Sequence, residues 1–171
     1  DYCELFNGKK EKSSEIIYSD KYLESEITNR SQLWTPPFVY GGWNYYCLTQ
    51  DLVDTYLCID GKSIDESELF DLKNPVVKDG VNYRDPRLYY TIYYPGVTNV
   101  NGVMFQGHPD SIDNGDEFFG RKGTTGYALR KYVDEAYSGD RYESGVDLVW
   151  IRYAEVLLSY LECKIKNNEE I

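Results

Sequence analysis

The chemistry open to this chain lies mainly in its aromatic rings. Trp34, Phe38, Tyr40, Trp43, Tyr45 and Tyr46 crowd into one short stretch, set among Pro36, Pro37, Gly41 and Gly42. An aromatic face is a flat apolar platform with a negative quadrupole, which suits the polarised C–H face of a sugar ring. A phenolic hydroxyl or indole N–H can bond the sugar's hydroxyls. Prolines stiffen such a loop, and paired glycines let a ligand or another backbone come close. The chain holds 18 Tyr, 3 Trp and 6 Phe, more rings than a core of this size requires, so some must lie on the surface. Trp34, Tyr40 and Trp43 are the candidate ligand-binding residues. The same rings would also serve to pin a long loop onto the protein body, and spacing alone does not separate the two roles.

Other constellations are weaker as chemistry. In Arg84-Asp85-Pro86-Arg87, paired arginines flank a carboxylate, a pattern that can clamp an anion. Pro86 restricts Asp85 to extended backbone, which sets its carboxylate to accept local N–H groups while the arginines tie loop carbonyls or acidic neighbours. A structural role is the expectation. Residues 110–121 imitate a calcium loop through Asp110, Asn114 and Gly115, but Ile112 and Arg121 stand where oxygen ligands are needed. A looser oxygen cage of Asp113, Asp116 and Glu117 is the alternative to a solvated turn, and no metal site is expected. Residues 120–126 are glycine-rich without the lysine placement or glycine spacing of a phosphate-binding loop. His108, the single histidine, precedes Pro109 and has no nucleophile and acid beside it in sequence. Asn29-Arg30-Ser31 is formally a glycosylation acceptor, a common pattern. No catalytic residue and no cofactor are expected.

Composition narrows the class. The formal net charge of -11 opposes binding to nucleic acid phosphates or anionic lipid, and no basic stripe overrides it. A neutral or cationic ligand is favoured over an anionic one. A hydrophobic share of 42% with 27% charged residues fits a globular protein, and no apolar run is long enough for a membrane helix. At 171 residues the expectation is one unit, residues 1–171. Cys3, Cys47, Cys58 and Cys163 lack any C-x-x-C spacing, so a zinc site is not expected. Four cysteines allow three disulfide pairings, with isolated thiols the expected state.

These residues must be positioned by a small set of elements. Residues 1–6 read as the tail of a helix, residues 15–18 as extended, and residues 31–47 as irregular. Residues 50–57 place Leu52, Val53, Tyr56 and Leu57 on one helical face behind Thr49 as N-cap, and Asp60-Gly61 ends that element. Residues 62–86 read as a long loop with a short helix near 66–69. Residues 88–94, rich in Tyr, Thr and Ile and stopped by Pro95-Gly96, read as a strand. Residues 99–126 read as loop. The clearest helix is the last, where Ala154, Leu157, Leu158, Leu161 and Ile165 recur at helical spacing opposite Glu155, Ser159, Glu162 and Lys166.

Arg84-Asp85-Pro86-Arg87-Leu88 and the run from Trp150 through Ile151, Arg152, Tyr153, Ala154 and Glu155 to Glu162 resemble, in this order, the SusD/RagB family of outer-membrane nutrient-binding lipoproteins. Residues 49–56, Asp60-Gly61, Thr91-Ile92 with Pro95-Gly96, and Arg130-Lys131-Tyr132 fit the same pattern between and before them. The resemblance implies a portion of a SusD-like α-helical fold: mainly α, with long irregular loops and a few short strands, lacking a tetratricopeptide-like N-terminal half. The apolar stripe of the last helix would then be left open in the 171-residue chain. The resemblance also implies non-catalytic oligosaccharide binding at the outer membrane, a lipid anchor on an N-terminus outside this chain, and delivery to a SusC-like TonB-dependent transporter. The alternatives are a glycoside hydrolase using two of the 29 acidic residues, or a peptide-binding RagB-like receptor.

Overall fold

A computed structural model describes residues 2–107 and 125–170. The candidate features at His108 and residues 110–121, and nearly all of the glycine-rich run 120–126, lie outside the described residues. In chain order the elements are β1 (Ile16–Asp20), α1 (Ser31–Trp34), α2 (Gln50–Asp54), β2 (Val77–Lys78), β3 (Val81–Asn82), α3 (Pro86–Thr91), β4 (Ile92–Tyr93), β5 (Ala128–Leu129), β6 (Leu148–Arg152) and α4 (Tyr153–Lys166). Two single 3-10 turns, Cys3–Leu5 and Phe38–Tyr40, complete the set.

The expectation of a mainly α fold is corrected. The four described helices have 4, 5, 6 and 14 residues, and short strands, single 3-10 turns and irregular segments carry the rest of the described residues. The cause is local. α2 begins where foreseen, with the Thr49 side chain accepting the Leu52 N–H at 3.2 Å, yet it stops after one turn. α3 occupies residues expected to be strand. Asp85 caps it by accepting the Arg87 N–H at 2.8 Å, and Pro86 sits in its first turn with φ preset for a helix. These start signals outweigh the β preference of Tyr89, Tyr90 and Thr91, and the strand survives only at Ile92 and Tyr93. No helix forms at 66–69, where residues 64–66 and 68–69 are turns.

Among the described residues, three antiparallel pairs form, two of which tie distant segments together. β1 pairs with β6 in an irregular register from Ile16 opposite Arg152 to Asp20 opposite Leu148. β2 pairs with β3 as a hairpin. β4 pairs with β5 through Ile92 opposite Leu129 and Tyr93 opposite Ala128, and Cys47 bridges to Ala128 on the other edge of β5. Among the described residues two apolar cores result. Val53, Val76, Leu88, Tyr89, Ile92 and Tyr127 form one, and Tyr93, Phe105, Ala128 and Val133 the other.

Arg84 is fully buried beside the first core. Its guanidinium donates to the carbonyls of Val53 at 2.8 Å, Tyr56 at 2.7 Å and Pro75 at 2.5 Å. Arg87 forks onto Asp85 instead, and this guanidinium holds the Asp85 carboxyl below its usual range. The four-residue motif is therefore structural, with one arginine on main-chain carbonyls and one on an acidic neighbour. None of the four cysteines is joined in a disulfide.

α4 has no buried residue, and Val156, Leu157, Leu158 and Ile165 are all exposed. Ile17 and Tyr18 of β1 and Trp150 of β6 are exposed as well. An apolar face this long favours association. The 171-residue chain by itself is expected to self-associate in sedimentation, increasingly with concentration, and Leu158→Lys with Leu161→Glu to reduce it. Monomeric behaviour of the unsubstituted chain at all concentrations would contradict this. No described helix is long and apolar enough to cross a membrane.

Candidate functional site

The aromatic stretch folds back on itself through its main chain. Trp43 N–H donates to the Leu33 carbonyl at 2.7 Å, Asn44 N–H to Pro36 at 3.0 Å, and Tyr45 N–H to Trp34 at 2.9 Å. These bonds lay residues 42–45 beside 33–37 and bring Trp34, Trp43 and Tyr45 to one surface. Gly42 permits the contact, since a Cβ there would stand 2.1 Å from the Pro36 carbonyl oxygen. Gly41 makes the turn at φ +81°.

α1 is held to the body by Gln32, which is fully buried. Its amide donates to the Tyr132 carbonyl at 2.6 Å and accepts the Asp134 N–H at 3.0 Å, while Arg141 donates to the Gln32 carbonyl at 2.8 Å. Asn29 anchors the approach to α1, accepting the Ser31 N–H at 2.9 Å and donating to the Val146 carbonyl at 2.8 Å. The Asn29 amide is thus engaged within the protein.

The rings meet edge to face. Tyr45 lies between the two indoles, 6.3 Å from Trp34 at 90° and 5.9 Å from Trp43 at 67°. Tyr142 abuts Trp43 at 6.0 Å, and the Arg30 guanidinium lies 5.8 Å above the Tyr142 ring. Arg30, Trp34, Trp43, Tyr45 and Tyr46 line an open concavity of about 440 Å³. A second one of about 250 Å³ adjoins it, sharing Arg30, Trp34 and Tyr46 and adding Leu129, Tyr132 and Leu148. Trp34 and Trp43 are half-buried, whereas Tyr45 and Tyr46 are about half exposed, at 51% and 47%. The rings are held by contact with one another and keep part of their surface open to the concavity, an arrangement that can serve as a platform. Burial pushes the Tyr132 hydroxyl up in pKa, and it donates to the Val149 carbonyl at 2.7 Å as a neutral donor.

Of the three candidates, Trp34 and Trp43 come together and Tyr40 does not join them. Tyr40 packs edge-on against buried Tyr93 at 5.0 Å and its hydroxyl donates to the Val103 carbonyl at 3.1 Å. It lines a different concavity, of about 340 Å³, with Asn99, Glu135, Tyr137 and Arg141. There Glu135 accepts from Tyr93 at 3.0 Å, Arg130 at 2.9 Å and the Val100 N–H at 2.9 Å, a carboxylate fully engaged in structure. Arg30, which lines the groove, and Tyr142, which abuts Trp43, are residues that sequence reasoning missed. Arg30 stands four residues before Trp34, a spacing that could have marked it, but nothing near Tyr142 pointed to Trp43. Among the described residues, no group of three or more His, Cys, Asp or Glu could hold a metal ion.

The family profile described as the SusD family matches residues 10–170. The chain belongs to the SusD family. A solved SusD-like carbohydrate binding protein from Bacteroides fragilis NCTC 9343 superposes with a TM-score of 0.79 at 29% identity, covering 100% of this chain and 33% of that one. This SusD-family chain therefore spans about a third of that relative's length, and its helices are shorter and fewer than a mainly α fold requires. No curated protein sequence matches it.

Proposed function

We propose that this chain forms part of a non-catalytic oligosaccharide receptor at the outer membrane, which passes its ligand to a SusC-like TonB-dependent transporter. The observation that carries the binding reading is the open concavity walled by Trp34, Trp43, Tyr45 and Tyr46, with the two tyrosines about half exposed. The carbohydrate-binding relative supports the ligand class. Sugar rings would stack on the indoles, with phenol hydroxyls and the Trp N–H groups bonding sugar hydroxyls. Tyr40, held against Tyr93, has at most a supporting place in this reading.

A panel of neutral and acidic oligosaccharides titrated into the full-length protein tests the reading. Trp34→Ala and Trp43→Ala are each expected to weaken binding about tenfold or more, the scale of an aromatic anchor in a pocket, while leaving thermal unfolding close to the parent. Unchanged affinity in both would return these rings to loop-pinning. Incubation with the tightest binder is expected to release no shortened products. Cleavage abolished by changing a single carboxylate would favour a glycoside hydrolase instead.

A further inference from the structure

The groove carries a single kind of charge. Arg30 lines both the 440 Å³ concavity and the adjoining 250 Å³ one, and no Asp or Glu is among the described residues lining either. Other concavities differ. Asp134, Glu135 and Arg141 share the one at Tyr40, and Asp85 and Arg87 share the one beside Leu52 and Tyr56. Arg30 is exposed, and its guanidinium lies over the Tyr142 ring with no carboxylate partner among the described residues. By contrast Arg84, Arg87, Arg130 and Arg152 are each committed to carbonyls or carboxylates.

We infer that the groove takes an acidic oligosaccharide, one that bears a carboxylate on a sugar ring placed beside Arg30. The inference rests on the glycan-binding reading and deepens it. A guanidinium is a planar fork matched to a carboxylate, and that of Arg30 lies 5.8 Å from the Tyr142 ring centroid, within cation–π range. The net charge of -11 had favoured a neutral or cationic ligand. That field is screened over about 8–10 Å at physiological salt, so the cation inside the groove governs at contact distance. The two indoles would supply affinity for the ring faces, and Arg30 the choice between a uronate and its neutral counterpart.

The test uses uronate-containing oligosaccharides, each paired with its carboxyl-reduced form, titrated into the full-length protein. For a pair that binds, the acidic member is expected to bind about tenfold tighter, with the advantage shrinking as salt rises. Arg30→Gln is expected to abolish the difference between the two forms, and Arg30→Lys to restore part of it. Equal affinity for both members, or a preference that survives Arg30→Gln, overturns the inference and leaves the glycan reading standing. Binding of neither form, nor of any other sugar in the panel, would remove the glycan reading itself and the inference with it.

Discussion

Replacing Arg84 with methionine is expected to cost about 3 kcal/mol or more of folding stability. The side chain is fully buried and brings a guanidinium charge with it. Three carbonyl dipoles neutralise that charge, two of them at the end of α2 and just past it, where the helix C-terminus is electronegative. Methionine fills similar volume but leaves Val53, Tyr56 and Pro75 carbonyls without their donor, at roughly 1–3 kcal/mol for each buried polar group left unsatisfied. The Arg84 main chain also matters to its surroundings. Its N–H donates to the Tyr89 hydroxyl at 3.0 Å, which donates in turn to the Val76 carbonyl at 3.0 Å, so the loop before α3 is fastened to the core. Arg84→Lys is expected to recover little, since an ammonium offers a point charge rather than a fork spanning three acceptors. Denaturant unfolding of the full-length protein measures both. A loss under about 1 kcal/mol for Arg84→Met would show that the carbonyls find other donors.

Gly42→Ala is expected to destabilise the aromatic groove by roughly 3 kcal/mol and to reduce sugar binding as strongly as removing both indoles. The added methyl would meet main chain, with the Pro36 carbonyl oxygen at 2.1 Å and its carbon at 2.7 Å. Overpacking against backbone cannot be relieved by a rotamer change, and its typical cost is about 1–3 kcal/mol. Relief requires residues 42–45 to move off residues 33–37, which breaks the bonds from Trp43 to Leu33 and from Tyr45 to Trp34. Both indoles and Tyr45 would then lose their common surface. Gly41→Ala is the informative contrast. Its strain comes from φ +81° and its nearest neighbour is the Arg141 side chain at 3.3 Å, so the cost is about 1 kcal/mol. Equal, small effects at the two glycines would mean that the close approach at Gly42 is unimportant to the groove.

How far the chain could be read in advance depended on whether a signal was local. Thr49 as N-cap, the extended segment at β1 and the long final helix are each written in neighbouring residues, and each is present. The short motifs from Arg84 to Glu162 were enough to reach the family. α3 was misread although its start signals, Asp85 and Pro86, stand beside it, because Tyr and Thr weighted the segment toward strand. The strand β6 escaped notice because its partner lies at the other end of the chain, and its register is broken by irregularities that blur alternation. The glycine pair was correctly expected to admit a close neighbour, but that the neighbour is Pro36 follows from a hydrogen-bonded return that spacing does not encode. The separation of Tyr40 from Trp34 and Trp43 has the same origin. The left-handed turn at Gly41 sends residues before and after it to different faces, and Tyr40 falls in with Tyr93 while Trp43 falls in with Tyr45 and Tyr142.

The decisive measurement is a crystal structure of the full-length protein with its tightest oligosaccharide. Sugar rings stacked on Trp34 and Trp43, about 4 Å from the indoles and with every glycosidic bond intact, are the predicted result. Sugar bound elsewhere, with the concavity between Arg30 and Tyr46 left open, would contradict the account.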